Sequence, residues 1–572
     1  MQNIYMSMYG TKGNDTVVLN HAAVADWEHS GWDPNFGFVN TLWVGYYHAG
    51  EGNDAIIRDR PGMYRLGWDG SGDAYMFGGS GTDTISYAHY TGAIDIDLST
   101  SDGHGLAKAK GVSGQTILGD DVLYSFENAT GTNGSDIIRG SNGVNTLVGG
   151  NGHDEMHGEG GNDKLFGGNH NDKLYGGSGN DTIKGESGND TAHGGANDDI
   201  IEGGSGNDTL KGDDGKDFLY GGSGHNVLWG GNGNDTLLIE GSGRAFGDAG
   251  DDILVGGASD DELHGGTEAD TLTGLAGNDE LYGDLGDDNM LGGDGNDTLE
   301  GGNGQDVIHG GNGNDFVIGG HNSDDLRGGE GIDTAAWEGS ARVVIDLRPT
   351  SVGTAVQYSF TDSLAGFENF RTGSGNDWIS TNGTANYVDA GDGNDYVNAG
   401  SGNDAVLAGK GNDGVRGGQG NDSILAGDGD DWLWGDAGND TLSGGDGEDL
   451  VRGGSGTDIL FGGNDADQFV FAAGDSGIDS IRDFVLGEDM VRFDDFLADE
   501  PEIGESYVGR VYAASADMGH STMLVAMTDD GWQAFAKIVG NGNVASFNAA
   551  IADGGLFNPS MLNGDSPMDI II

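Results

Sequence analysis

The 572-residue chain has no cysteine, which excludes disulfides, thiolate metal sites and a cysteine nucleophile. Basic residues are scarce: 24 Lys and Arg stand against 95 Asp and Glu, a formal net charge of -71. That sign argues against nucleic acid and anionic membrane surfaces as partners, since both call for basic patches. No run approaches the ~18 apolar residues of a membrane span, so no membrane insertion is expected. The opening MQNIYMSMYGTKGND has no basic stretch followed by an apolar one, so no cleavable leader is expected there. HExxH and G-x-S-x-G are absent, which argues against a zinc protease helix and a nucleophile elbow. His153-Asp154-Glu155-Met156-His157 comes nearest to the first, but its glutamate is at the wrong offset. With 35% apolar residues and this charge, the bare chain sits near the disordered regime. A folded state has to draw positive charge from outside the chain.

What the chain has in excess is glycine, 116 residues, about three times the usual ~7% share. They fall in a period of nine. Units start at Gly131 and at every ninth residue through Gly230; the register slips around 239–246 and resumes at Gly247 for ten units to Ala336. A third run of eleven units extends from Thr372 to Val470. Position six is Asp136, Asp154, Asp163, Asp172, Asp181, Asp190, Asp199, Asp208, Asp217 and Asp235 in the first run. It is Asp252, Asp261, Asp270, Asp279, Asp288, Asp297, Asp306, Asp315, Asp324 and Asp333 in the second. In the third it is Asp377, Asp395, Asp404, Asp413, Asp422, Asp431, Asp440, Asp449, Asp458 and Asp467. Only Asn145, Asn226 and Asn386 depart, so 30 of 33 units carry the aspartate of a pattern whose consensus is G-G-x-G-x-D-x-U-x, U being apolar.

Glycine at positions one, two and four allows positive φ and close backbone approach in a tight turn. The x-U-x that follows predicts a three-residue strand with one side chain facing in. Two units then make one coil of an all-β, right-handed parallel β-roll, and the turn aspartates line up in columns along its two edges. Such columns repel unless cations lie between them. Carboxylate and carbonyl oxygens are hard ligands that suit Ca²⁺ over Mg²⁺. About thirty Ca²⁺, one per unit, supply ~60 positive charges against the 71 negative ones, a near balance.

GGNGNDTLL (230–238), GGDGNDTLE (292–300) and GGQGNDSIL (417–425) resemble the calcium-binding nonapeptide of the RTX (repeats-in-toxin) proteins. The resemblance implies a secreted bacterial protein, unfolded in low-calcium cytoplasm, that folds on meeting extracellular calcium. It does not name an activity, because such arrays follow enzymes, pore-formers and adhesins alike. GGNDADQFVFAAGDSGIDSIRDFVLGEDMVRFDDF (462–496) is similar to the segment closing the β-roll of serralysin-type proteases, and its Phe469, Phe471, Ile481, Phe484, Val491 and Phe493 read as capping strands. Beyond it, a hairpin with its turn at Asp529-Asp530-Gly531 is expected. The last residues, Met568-Asp569-Ile570-Ile571-Ile572, resemble a C-terminal type I export signal, which implies the type I secretion machinery as a partner.

The chain therefore divides into irregular N-terminal units (1–130), a long roll (131–336), a second inserted β segment (337–371), a second roll (372–470), a C-terminal β cap (471–557) and the export signal (558–572). ILGDDVLYSFENATGTNGSDII (117–138) matches TDSLAGFENFRTGSGNDWI (361–379) at a constant offset of 241, and AIDIDLST (93–100) parallels VVIDLRPT (343–350). Both read as inserted strands, structural joints that continue the solenoid. Near the start, GTKGNDTVV (10–18) and AGEGNDAII (49–57) flank an insertion with Trp27, Trp32, Phe36, Phe38, Trp43, Tyr46 and Tyr47. These rings either cap the first coil or stack on sugars of a cell-surface or matrix polysaccharide. Two functions stay open: a non-catalytic extracellular adhesion, matrix or surface protein, and an enzyme acting on extracellular polysaccharide through the N-terminal or C-terminal non-repeat region.

Overall fold

Each regular nonapeptide contributes one six-residue strand, twice the length expected from x-U-x, as in Lys164–Asn169 and Lys173–Ser178. The computed structural model describes residues 4–9, 16–19, 43–51, 55–58, 74–90, 92–99, 107–111, 121–348, 352–472, 475–485, 488–494, 511–515, 521–528, 531–539 and 570–571. Residues 20–42, which hold Trp27, Trp32, Phe36 and Phe38, and the final residues apart from Ile570 and Ile571 lie outside them. The strands lengthen because backbone pairing carries on past the position-one glycine. Lys164, Leu165 and Phe166 pair in parallel with Thr182, Ile183 and Lys184; Gly167 is skipped; Gly168 and Asn169 then pair with Glu186 and Ser187. The register is eighteen residues, so two units make one coil of a parallel β-solenoid. No helix occurs among the described residues.

The chain forms two compact units, Met1–Thr298 and Leu299–Ile572. In the first, the inward position eight carries Ile138, Leu147, Met156, Leu165, Leu174, Ile183, Ala192 and their successors, all fully buried. In the second the same column runs Ile379, Val388, Val397, Val406 and on to Leu460 and Phe469. Each Val, Leu, Ile, Met or Phe of the column adds about 1.5–3 kcal/mol of apolar burial. Positions seven and nine face outward on the same strands. Glycines at positions two and four adopt positive φ, for example 112° at Gly168 and 124° at Gly179.

The two inserts share one topology. In the first unit Ile94–Asp97 pairs antiparallel with Ala107–Gly111, which pairs antiparallel with Asp121–Tyr124. In the second, Val343–Asp346, Gly353–Gln357 and Phe360–Ala365 repeat this meander. Its outer strands rejoin the parallel stack, Val343–Asp346 against Trp378–Ser380 and Phe360–Ala365 against Asp325–Glu330. The C-terminal segment holds strands Gln468–Ala472, Asp479–Ile481 and Met490–Asp494, with Phe469, Phe471 and Ile481 buried. The expected hairpin is present: Ser521–Thr528 and Gly531–Val539 pair antiparallel across Asp529-Asp530.

Candidate metal centre

The thirty position-six aspartates are all buried, none more than 4% exposed. Their two oxygens have different fates. Oδ1 accepts the backbone N–H of the position-six residue one coil earlier. In the first unit the N–H of Asp136 donates to Asp154, that of Asp154 to Asp172 and that of Asp172 to Asp190, at 2.7–2.8 Å. The parallel column runs Asn145 to Asp163, Asp163 to Asp181 and Asp181 to Asp199, each at 2.7 Å. The second unit repeats this from Asp377 to Asp395, Asp413, Asp431, Asp449 and Asp467, and from Asn386 to Asp404, Asp422, Asp440 and Asp458. The nine-residue spacing predicts the columns but not this backbone relay.

Oδ2 is left over. In Asp154, Asp163, Asp172, Asp181, Asp190, Asp199, Asp208 and Asp217 it is buried and accepts no hydrogen bond. The same holds in the second unit for Asp395, Asp404, Asp413, Asp422, Asp431, Asp440 and Asp449. Burial pushes these carboxyls up from the usual range, to about 7 for Asp154 and Asp163 and about 8 for Asp172, Asp199 and Asp270, against the opposing pull of the backbone N–H. An ionised oxygen buried without a partner is costly, so the column favours a cation or a proton at each rung.

The position-one glycine serves this carboxylate and does not have positive φ. A Cβ on Gly131 would strike Asp136 Oδ2 and lie 2.7 Å from the carbonyl oxygen of Gly149, one coil on. Gly149 stands in the same way against Asp154 Oδ2 and 2.7 Å from the Gly167 carbonyl. In the first unit glycine thus keeps a carboxylate and a carbonyl oxygen side by side; in the second, buried Ala390, Ala399, Ala408 and Ala426 hold the same place in their repeats. Among the described residues no three His, Asp or Glu side chains converge as a metal cluster. Carboxylate and carbonyl oxygens together are the hard donor set that Ca²⁺ takes at six to eight coordination, and the residues present fit it.

The three asparagines each mark an irregularity in the stack. Asn145 and Asn386 follow the two inserts, where glutamates next to the inserted strands enter the column instead. Glu127 Oε2 accepts the Asp83 N–H at 2.7 Å and Glu368 Oε2 the Asp333 N–H at 3.0 Å. Burial raises both carboxyls. Asn386 Nδ2 donates to the Glu368 carbonyl at 2.7 Å, and Asn145 Nδ2 meets the Glu127 carbonyl. Neither glutamate was expected as a site residue, although Phe-Glu-Asn recurs in both copies of the duplication. Asn226 marks the slip: that coil is seventeen residues long, and Gly243 takes the next place, donating to Asp261 Oδ1 at 2.7 Å.

The RTX calcium-binding nonapeptide repeat model matches in overlapping four-copy blocks across residues 130–237, 240–335 and 364–478, more than half the chain. The chain belongs to the RTX calcium-binding repeat family. It binds Ca²⁺, roughly one ion per repeat, and proteins of this family are typically secreted. No curated protein matches it. Solved structures with similarity include the extracellular lipase LipA from Serratia marcescens, at 16% identity over 54% of this chain and 42% of the lipase, TM-score 0.16. A hyperactive, Ca²⁺-dependent, β-helical antifreeze protein from an Antarctic bacterium matches at 16% identity over 70% of this chain and 84% of that one, TM-score 0.15. The chain thus spans less than half the length of the lipase.

Proposed function

We propose that the protein is a secreted, non-catalytic RTX protein whose solenoid is assembled by extracellular Ca²⁺ for adhesion, matrix or surface roles. In this reading the thirty position-six aspartates, with Glu127 and Glu368 at the joints, supply the carboxylate ligands and turn carbonyls complete each set. The observation that carries it is the row of buried Oδ2 atoms without partners. Bound Ca²⁺ supplies the positive charge that lets these groups stay ionised while buried. Non-catalysis is supported by where the strongly shifted carboxyls lie: Asp172, Asp199 and Asp270 each face a glycine of their own repeat, not a nucleophile. Type I export machinery is the partner that fits a chain of the RTX repeat family.

The test is a calcium titration of the metal-free full chain, followed by calorimetry and far-UV circular dichroism. The expected result is about thirty ions bound, with β signal appearing as they bind. At calcium ~100-fold above Kd each site adds about 2.7 kcal/mol. Full β signal in excess EGTA at neutral pH would defeat the calcium-assembly reading. Turnover of any member of a polysaccharide and ester panel would defeat the non-catalytic one.

A further inference from the structure

Along one corner of the coils in the second unit runs an open groove of about 1000 Å³. Its floor comes from successive strands of one face, through Asn398, Arg416, Gln419 and Arg452, with Arg348 from the insert and Asp475 from the C-terminal segment also in its wall. Three of the chain's 24 basic residues meet here. Each has a carboxylate partner. Arg452 Nη2 is 2.8 Å from Asp475 Oδ1, Arg416 Nη2 is 3.1 Å from Asp436 Oδ1, and Arg348 Nε is 3.2 Å from Asp346 Oδ1.

Aromatic rings stand on the same strands. Trp378, Tyr396 and Trp432 occupy position seven, and Arg348 lies over the Trp378 ring at 4.9 Å. Trp432 is 60% exposed. It stands between Gly414 and Leu450, while Trp434, at position nine of the same strand, stands in register between Arg416 and Arg452.

We propose that this groove binds a single strand of an uncharged polysaccharide. Arginine–aspartate pairs and the amides of Asn382, Asn398 and Gln419 offer donors and acceptors together, which is what sugar hydroxyls need. Trp434, in register between the wall residues Arg416 and Arg452, offers a ring to the C–H side of a pyranose. A polyanion would meet Asp436 and Asp475, and a polycation the three guanidinium groups; a neutral chain meets neither penalty. Coils advance by ~4.8 Å, close to the advance of one pyranose in an extended glycan, so successive coils present similar groups to successive sugars. This inference supplies a ligand class for the adhesive reading and rests on it.

The experiment titrates the calcium-loaded full chain with cellohexaose, mannohexaose, xylohexaose and, as the acidic probe, hexagalacturonate, reading tryptophan fluorescence and calorimetry. At least one neutral hexasaccharide is expected to bind. Trp434→Ala and Arg416→Gln should each weaken it about tenfold or more, while Trp229→Ala, in the first unit, leaves it unchanged. Calcium-induced circular dichroism shows that each variant folds. Binding of none of the neutral sugars, or binding unaffected by both groove variants, would overturn the inference, as would hexagalacturonate binding in preference to every neutral sugar. Cleavage of a neutral hexasaccharide that Trp434→Ala abolishes would support the groove and overturn only the non-catalytic reading.

Discussion

Asp181 Oδ1 lies 2.7 Å from the backbone nitrogen of Asp163, eighteen residues earlier, while Oδ2 of the same carboxylate is buried without a hydrogen bond. One side chain therefore has two separable tasks, holding the neighbouring coil and carrying charge. Asp181→Asn keeps the acceptor and removes the charge, as Asn226 does where it accepts the Asp208 N–H at 2.9 Å. Asp181→Ala removes both. The expected outcome is about one fewer Ca²⁺ bound in each variant. The alanine variant should also be less stable by about a further 1–3 kcal/mol, because a buried N–H is left without its acceptor. Calorimetric stoichiometry and thermal melts in saturating calcium check both; equal melting of the two variants would contradict the relay.

Without metal, the pH dependence has a definite sign. The column carboxyls sit at about 6 for Asp181 and Asp190, about 7 for Asp154 and about 8 for Asp172 in the folded chain, raised by burial from 3.8. The fold then holds more protons than the unfolded chain between these limits, so its stability falls as pH rises. The contribution is fully present below about pH 4 and is lost as pH climbs through 6 to 8. In protein stripped of calcium and kept in metal-free buffer, β signal should appear on acidification toward pH 4 and vanish toward pH 8. A metal-free chain that melts more easily at pH 4.5 than at pH 8 would contradict this.

Gly158 packs against Asp163 Oδ2 and the carbonyl of Gly176, whereas a Cβ on Gly143 would have its nearest neighbour, Ser141 Oγ, at 3.7 Å. Gly158→Ala is expected to cost about 1–3 kcal/mol through overpacking, with Gly143→Ala close to neutral. Chemical denaturation in saturating calcium measures the difference. If both substitutions cost the same, the close packing of the position-one glycine is not what fixes its identity.

Outward position nine of the first unit carries a stack of rings. Tyr175 lies between His157 and His193, with ring centroids 4.7 and 5.4 Å away. Farther along, Phe246 stacks between Trp229 and His264 at 5.6 and 5.0 Å. Tyr175→Ala should lower the stability of the calcium-loaded protein by about 0.5–1.5 kcal/mol for each of its two ring neighbours. An unchanged melting temperature would show that the stack is incidental.

The period of nine made the coil, the buried column at position eight and the aspartate columns legible in advance, because each follows from which residues recur. It did not reveal which oxygen meets which backbone group, since spacing places residues in a column without orienting a carboxylate. The pairing of Arg416 with Asp436 does leave a trace in the sequence. Asp436 has φ 71° at position two, where glycine is the rule, and the acids Asp213 and Asp284 break that rule in the same way beside His193 and His264. The groove was not legible, because its wall gathers residues 347–348, 381–455 and 475 from three stretches with no common motif.

The relay runs one way, with each N–H pointing to the coil that follows it in sequence, so a column has two unlike ends. Residues from outside the regular repeats take up both. Asp458 and Asp467 donate to Asp479 and Asp489 at 3.0 and 3.2 Å, while Ile94 and Val343 donate to the leading acids Asp136 and Asp377 at 2.8 and 2.7 Å. Stacked-coil proteins are exposed to filament growth by accretion of further copies. At Asp136 and Asp377 the inserted strands keep the relay continuous, and beyond the last repeats it closes on the chain's own Asp479 and Asp489 rather than on a second copy.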